Sequence, residues 1–109
     1  MTKILYVEDD LASQRLVQRI LTAEGFEVVL ADNGLGAIEM ARREKPDLIL
    51  MDINISGLDG YEVTTRLRTI EGLGEAPIIA VTAATLRGDR ERALVAGCNG
   101  YIPKPIDVD

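Results

Sequence analysis

Asp47-Leu48-Ile49-Leu50-Met51-Asp52 is the stretch on which the fold turns. Its four central residues are apolar without alternation, as expected of a strand covered on both faces, and the run ends on an acid. It is the most apolar run of the chain, so Leu48–Asp52 is placed at the centre of a sheet. Earlier in the sequence, Lys3–Val7 reads as a similar strand leading into Glu8-Asp9, and Glu27–Ala31 as another. Later in the sequence, Pro77–Thr82 and Gly100–Ile102 complete five strands, the last followed by Pro103-Lys104-Pro105.

Helical patterns fill the gaps. Leu16, Val17, Ile20 and Leu21 mark a helix from Leu11 to about Glu24, stopped at Gly25. Ala37, Ile38 and Ala41 mark a second that ends before Pro46. Val63, Leu67 and Ile70 define a third, broken at Gly72 and Gly74, and Arg87–Ala96 forms a short charged fourth that stops at Gly97. Strands alternating with helices predict a parallel α/β sheet with right-handed crossovers, built as one domain over residues 1–109. Pro105-Ile106-Asp107 looks like the approach to a fifth helix, with Asp107 a good N-cap, but that helix is missing or truncated. Its absence leaves apolar sheet surface exposed unless something else covers it.

Composition narrows the chemistry. Apolar residues make up 47% of the 109, enough for a core, yet no run approaches a membrane span. Met1-Thr2-Lys3 carries no signal pattern, and the lone Cys98 fits a reducing compartment, so a cytoplasmic location is expected. A net charge of -6 argues against nucleic acid binding. The absence of histidine excludes Ser-His and Cys-His catalysis, histidine metal ligation and a phosphohistidine within the chain.

If the apolar runs are parallel strands, Glu8, Asp9, Asp52 and Lys104 emerge at one carboxyl edge, where open α/β sheets carry their sites. Any one strand-end acid reads equally well as a solvated or capping group. Three converging on two strands, with a lysine on a third, repel one another and call for a cation. Hard oxygen ligands suit Mg²⁺. Lys104, held between prolines, is suited to act as a point charge for a carboxylate or a phosphoryl oxygen, and Thr82 could offer a hydroxyl. Taken singly, Thr82 is an ordinary strand residue and Lys104 a turn lysine.

Four segments at matching spacing carry a resemblance. They are Leu5-Tyr6-Val7-Glu8-Asp9-Asp10, Asp47 to Asn54 with Gly57-Leu58-Asp59-Gly60, Pro77 to Ala83, and Ala96-Gly97-Cys98 leading to Tyr101-Ile102-Pro103-Lys104-Pro105. Across its whole length the chain resembles the receiver domain of two-component response regulators, particularly receivers of hybrid sensor kinases and single-domain regulators. The resemblance implies a flavodoxin-like, doubly wound, five-stranded parallel sheet of order 2-1-3-4-5. It implies that Asp52 is a phosphoacceptor and that Mg²⁺ is held by Asp9, by Glu8 through water, by Asp52 and by the backbone carbonyl of Asn54. Thr82 and Lys104 would contact the phosphoryl group, a cis peptide would precede Pro105, and Thr82 and Tyr101 would form the switch. Partners implied are a sensor histidine kinase or histidine phosphotransfer protein, and an output protein, output domain or second copy downstream. The domain would signal rather than turn over substrate, with slow autodephosphorylation, and would bind neither nucleic acid nor membrane.

Departures from the family pattern are Ser56, where proline is common, and Gly100, where a polar residue is usual and whose smallness would loosen the start of the last strand. Cys98 reads as a small buried side chain. Three alternatives compete. An aspartate-nucleophile phosphohydrolase would want an acid where Asn54 stands, and a cap for which there is no room. A degenerate receiver acting only as a binding module would lack an acid or the lysine. A flavin-binding module would need a hydroxyl- and glycine-rich loop after the first strand.

Overall fold

The structure, a computed structural model, describes residues 2–53, 60–82 and 97–103. Within them run β1 (Lys3–Val7), α1 (Leu11–Ala23), β2 (Glu27–Ala31), α2 (Gly34–Glu44), β3 (Leu48–Asp52), α3 (Gly60–Leu67), β4 (Ile78–Thr82) and β5 (Gly100–Pro103). The strands form one sheet of order β2-β1-β3-β4-β5 in which all neighbours are parallel. This is the expected doubly wound arrangement. The strand order reverses between β1 and β3, which opens a crevice at their carboxyl ends. The predicted helix over Arg87–Ala96 and the approach to a fifth helix lie outside the described residues.

Why the strands lack alternation becomes clear from their two faces. Leu5, Val7, Ile49, Met51, Ile78 and Ala80 pack with Ala37 and Ala41 of α2 and with Val63 and Leu67 of α3. Ile4, Tyr6, Leu50 and Val81 point the other way, toward Val17 and Leu21 of α1. Successive residues serve different cores, so each must be apolar. Burying one such side chain stabilises the fold by about 1.5–3 kcal/mol.

Each helix is set by local chemistry. The Asp10 carboxylate caps α1, accepting from the Ser13 amide at 2.9 Å and its hydroxyl at 2.7 Å, and Gly25 takes φ +93° just beyond the far end. Asn33 caps α2 through the Gly36 amide at 2.7 Å. That helix ends at Lys45, a non-glycine residue at φ +49°, because Pro46 disfavours further helix. The cost of this turn is offset by the Lys45 ammonium, which donates to the Glu71 carbonyl at 2.6 Å. At the start of α3, a Cβ on Gly60 would lie 2.6 Å from the Ile53 Cα, so only glycine lets the helix approach the end of β3 this closely.

Three boundaries differ from expectation, the simplest being β5, which runs one residue past Ile102 to Pro103. α3 stops at Leu67, not at Ile70: the Ile70 and Leu73 amides bond three residues back, to the Leu67 and Ile70 carbonyls, as the chain turns toward Gly72. Ile70 still packs on the core from this turn, which is why its spacing looked helical. β4 begins at Ile78 because Pro77 contributes only its carbonyl, to the Ile49 amide. Gly100 pairs regularly with Ile79, and a Cβ there would come within 3.0 Å of the Ile79 Cδ1, so its smallness accommodates a neighbour. Among the described residues, no helix is long and apolar enough to cross a membrane.

Candidate metal centre

Pairing fixes what meets at the carboxyl edge. Val7 lies opposite Met51 on the neighbouring strand, so the next residues, Glu8 and Asp52, leave the sheet side by side. One carboxylate oxygen from each of Glu8, Asp9 and Asp52 lies within 4.8 Å of the other two. Glu8 and Asp52 are buried, at 1% and 3% exposure, whereas Asp9 faces solvent. Like charges at this separation repel by on the order of 3 kcal/mol per pair at the effective dielectric of a protein surface. A divalent cation removes that cost. Three carboxylates, with no softer donor among the described residues of the cluster, suit a hard ion that keeps waters of its own.

The first strand also supports the cluster from behind. The Tyr6 hydroxyl donates to Glu8 Oε1 at 3.1 Å, and the Asp10 amide to Oε2 at 3.3 Å. The Gln14 side-chain amide, one turn into α1, donates to the Glu8 carbonyl, and the Glu8 amide donates to Ala31 at 2.9 Å. Burial pushes the Tyr6 phenol far above its ordinary range, and the Glu8 charge, its hydrogen bond and the Asp52 charge push it further. It is a proton donor at any physiological pH. Nothing in the apolar run assigned Tyr6 this part; the available signal was the i, i+2 spacing, which puts Tyr6 and Glu8 on one face.

Of the remaining candidates, Thr82 is the last residue of β4 and Tyr101 the second of β5, paired with Ala80. The backbone thus brings the position after Val81, the partner of Asp52, to the same edge as the acids. Asn54, Ser56 and Lys104 lie outside the described residues. Cys98 is buried, its thiol 3.8 Å from the Thr64 hydroxyl, and burial raises its pKa. It is an inert core residue rather than a nucleophile.

Comparison with known proteins converges with this geometry. The model of the response regulator receiver domain matches residues 4–109. The polar-differentiation response regulator DivK of Brucella ovis is 44% identical over 109 residues, covering 99% of this chain and 89% of that protein. The receiver domain of sensor histidine kinase PA1611 from Pseudomonas aeruginosa PAO1 was crystallised with a magnesium ion coordinated in its active-site cleft. It is 42% identical, with a TM-score of 0.89 over 97% of this chain and 87% of that one. The Vibrio cholerae chemotaxis protein CheY4 reaches a TM-score of 0.94 at 27% identity, covering 98% of this chain and 89% of its own. A doubly wound sheet of this order, its acids at the strand switch, and a match along nearly the whole sequence lead to one conclusion: the chain belongs to the response regulator receiver domain family, the receiving module of two-component signalling.

Proposed function

We propose that Asp52 is the phosphoacceptor and that Glu8, Asp9, Asp52 and the backbone carbonyl of Asn54 hold Mg²⁺ beside it. The observation that carries this reading is the convergence of three carboxylates within 4.8 Å at the strand switch. In the reaction, an oxygen of Asp52 attacks the phosphorus of a phosphohistidine on another protein. The phosphorus–nitrogen bond breaks, and its electron pair stays on the imidazole. The product is an acyl phosphate on Asp52. Bound Mg²⁺ supplies positive charge that lets the dianionic phosphoryl group approach an acidic site. Thr82 and Lys104 contact the transferred oxygens. Burial limits the access of competing nucleophiles to Asp52, whose exposure is only 3%.

The donor is a sensor histidine kinase or a histidine phosphotransfer protein, since the chain contains no histidine of its own. The phosphoryl group carries a charge of roughly -2 where the carboxylate carried -1, and this draws Thr82 inward and lets the Tyr101 ring follow, which alters the surface offered to an output protein, an output domain or a second copy. The domain works in the cytoplasm without membrane or nucleic acid contact, and hydrolysis of its own phosphoaspartate is slow. Incubation with a small acyl phosphate and Mg²⁺ tests the assignment. The wild-type chain should acquire one phosphoryl group, Asp52→Asn should acquire none, and chelation should abolish labelling. Equal labelling of the two proteins would overturn it.

A further inference from the structure

We propose that Tyr6 is a positioning residue for the metal site: its hydroxyl holds one oxygen of Glu8 so that the carboxylate is aimed at the ion or at a water of its shell. This rests on the preceding reading, in which Glu8 helps to hold Mg²⁺. Tyr6 and Glu8 are both 1% exposed and sit two residues apart, Tyr6 within β1 and Glu8 just past its end. The phenol reaches Glu8 Oε1 at 3.1 Å, while the Asp10 amide takes Oε2 at 3.3 Å and the Gln14 side chain takes the Glu8 carbonyl. Strand, helix and loop thus each grip the same residue.

Side-chain length is what makes the contact. Glutamate carries one methylene more than aspartate, and that extra reach lets its oxygen meet the phenol of a ring embedded in the α1-side core. An aspartate at position 8 would draw the carboxylate back from Tyr6 while keeping the charge. A buried carboxylate that could rotate would have to be ordered whenever an ion bound, at a cost in affinity. Here the ring is already fixed by packing with Ile4, Val17 and Leu50, so the orientation exists before the ion arrives. Partners of this kind, one step removed from the metal, typically change affinity by tenfold or more.

Mg²⁺ titration of the whole chain by calorimetry tests the proposal, with unfolding in chelator as a separate measure of packing. Tyr6→Phe keeps the ring and removes only the hydroxyl; its Mg²⁺ affinity should fall about tenfold. Glu8→Asp, which keeps the charge and shortens a buried side chain by one methylene, should also bind more weakly than wild type. Because that variant has already lost the contact, adding Tyr6→Phe to it should weaken binding no further. Wild-type affinity in either single variant would overturn the proposal. So would an equal loss from Tyr6→Phe in both backgrounds, the mark of general loosening. Failure of the wild-type chain to bind Mg²⁺ would overturn the metal role of Glu8 and this inference with it, a result distinct from the others.

Discussion

At the carboxyl edge of the sheet three acids crowd within 4.8 Å of one another; at the amino edge Lys3 and Arg68 are each matched to several acceptors. There Lys3 sits 3.0 Å from Glu44 and 3.4 Å from Glu27, and its amide donates to Asp47 at 2.8 Å. Arg68 is held still more completely. Its guanidinium donates to the carbonyls of Gly97, Leu73, Gly74 and Ala76 and to the Asn99 side chain. Asn99 in turn accepts from the Ile78 amide at 2.9 Å and donates its own amide to the Ile78 carbonyl. One planar fork thus ties the turn after α3 to the starts of β4 and β5. The amino edge uses its polar groups to hold the fold, and the carboxyl edge gathers like charges where a cation can bind.

The contrast breaks most visibly at Arg68. Arg68→Ala should cost about 2–4 kcal/mol, because it orphans several carbonyls at once, and a urea unfolding midpoint will show it. Arg68→Lys should recover less than half, since an ammonium cannot span the same acceptors. A loss within experimental error would mean that the amino edge is no better matched than its opposite. At the carboxyl edge the sign should reverse. Removing one repelling charge with Asp9→Asn should raise the stability of the metal-free chain by about 0.5–1 kcal/mol while weakening Mg²⁺ binding. A fall in metal-free stability would show that Asp9 holds the fold more than it repels its neighbours.

The smallest effect belongs to the partly exposed Lys3–Glu44 pair at the amino edge. The Lys3 hydrogen bond and charge hold the Glu44 carboxyl below its ordinary value, and Glu44 raises Lys3. The Glu44 contribution is present above its unfolded pKa near 4.5 and is lost as pH falls through the lower folded value. The Lys3 contribution runs oppositely, being complete below 10.5 and lost as pH rises past its folded value. Glu44→Gln should therefore flatten the acid side of the stability profile slightly, and less so in high salt. An unaltered acid limb at low salt would deny the pair any role.

These two edges were not equally legible in the sequence. The bodies and ends of β1, β2 and β3 follow directly from doubly buried apolar runs, and the acids are readable because each terminates such a run. Arg68 was invisible for a physical reason. Its acceptors are mostly backbone carbonyls, which any residue supplies, and they lie 5 to 31 positions away. Tyr6 was hidden differently, since an aromatic residue in a buried strand is fully accounted for by packing. Ile70 misled because a turn after α3 delivered it to the core at nearly helical spacing. What the pattern conveys is burial; where hydrogen bonds run is set by tertiary proximity.

The alignment of β1 with β3, Val7 across from Met51, has one further consequence. A slip by one residue would displace the two strands by about 3.3 Å and turn each side chain to the opposite face. The acids would separate in the same movement that spoiled both cores. Cation affinity is therefore an audit of assembly: a chain zipped wrongly by a single notch is deaf as well as unstable, so a misfolded copy cannot compete for phosphoryl groups it could never report.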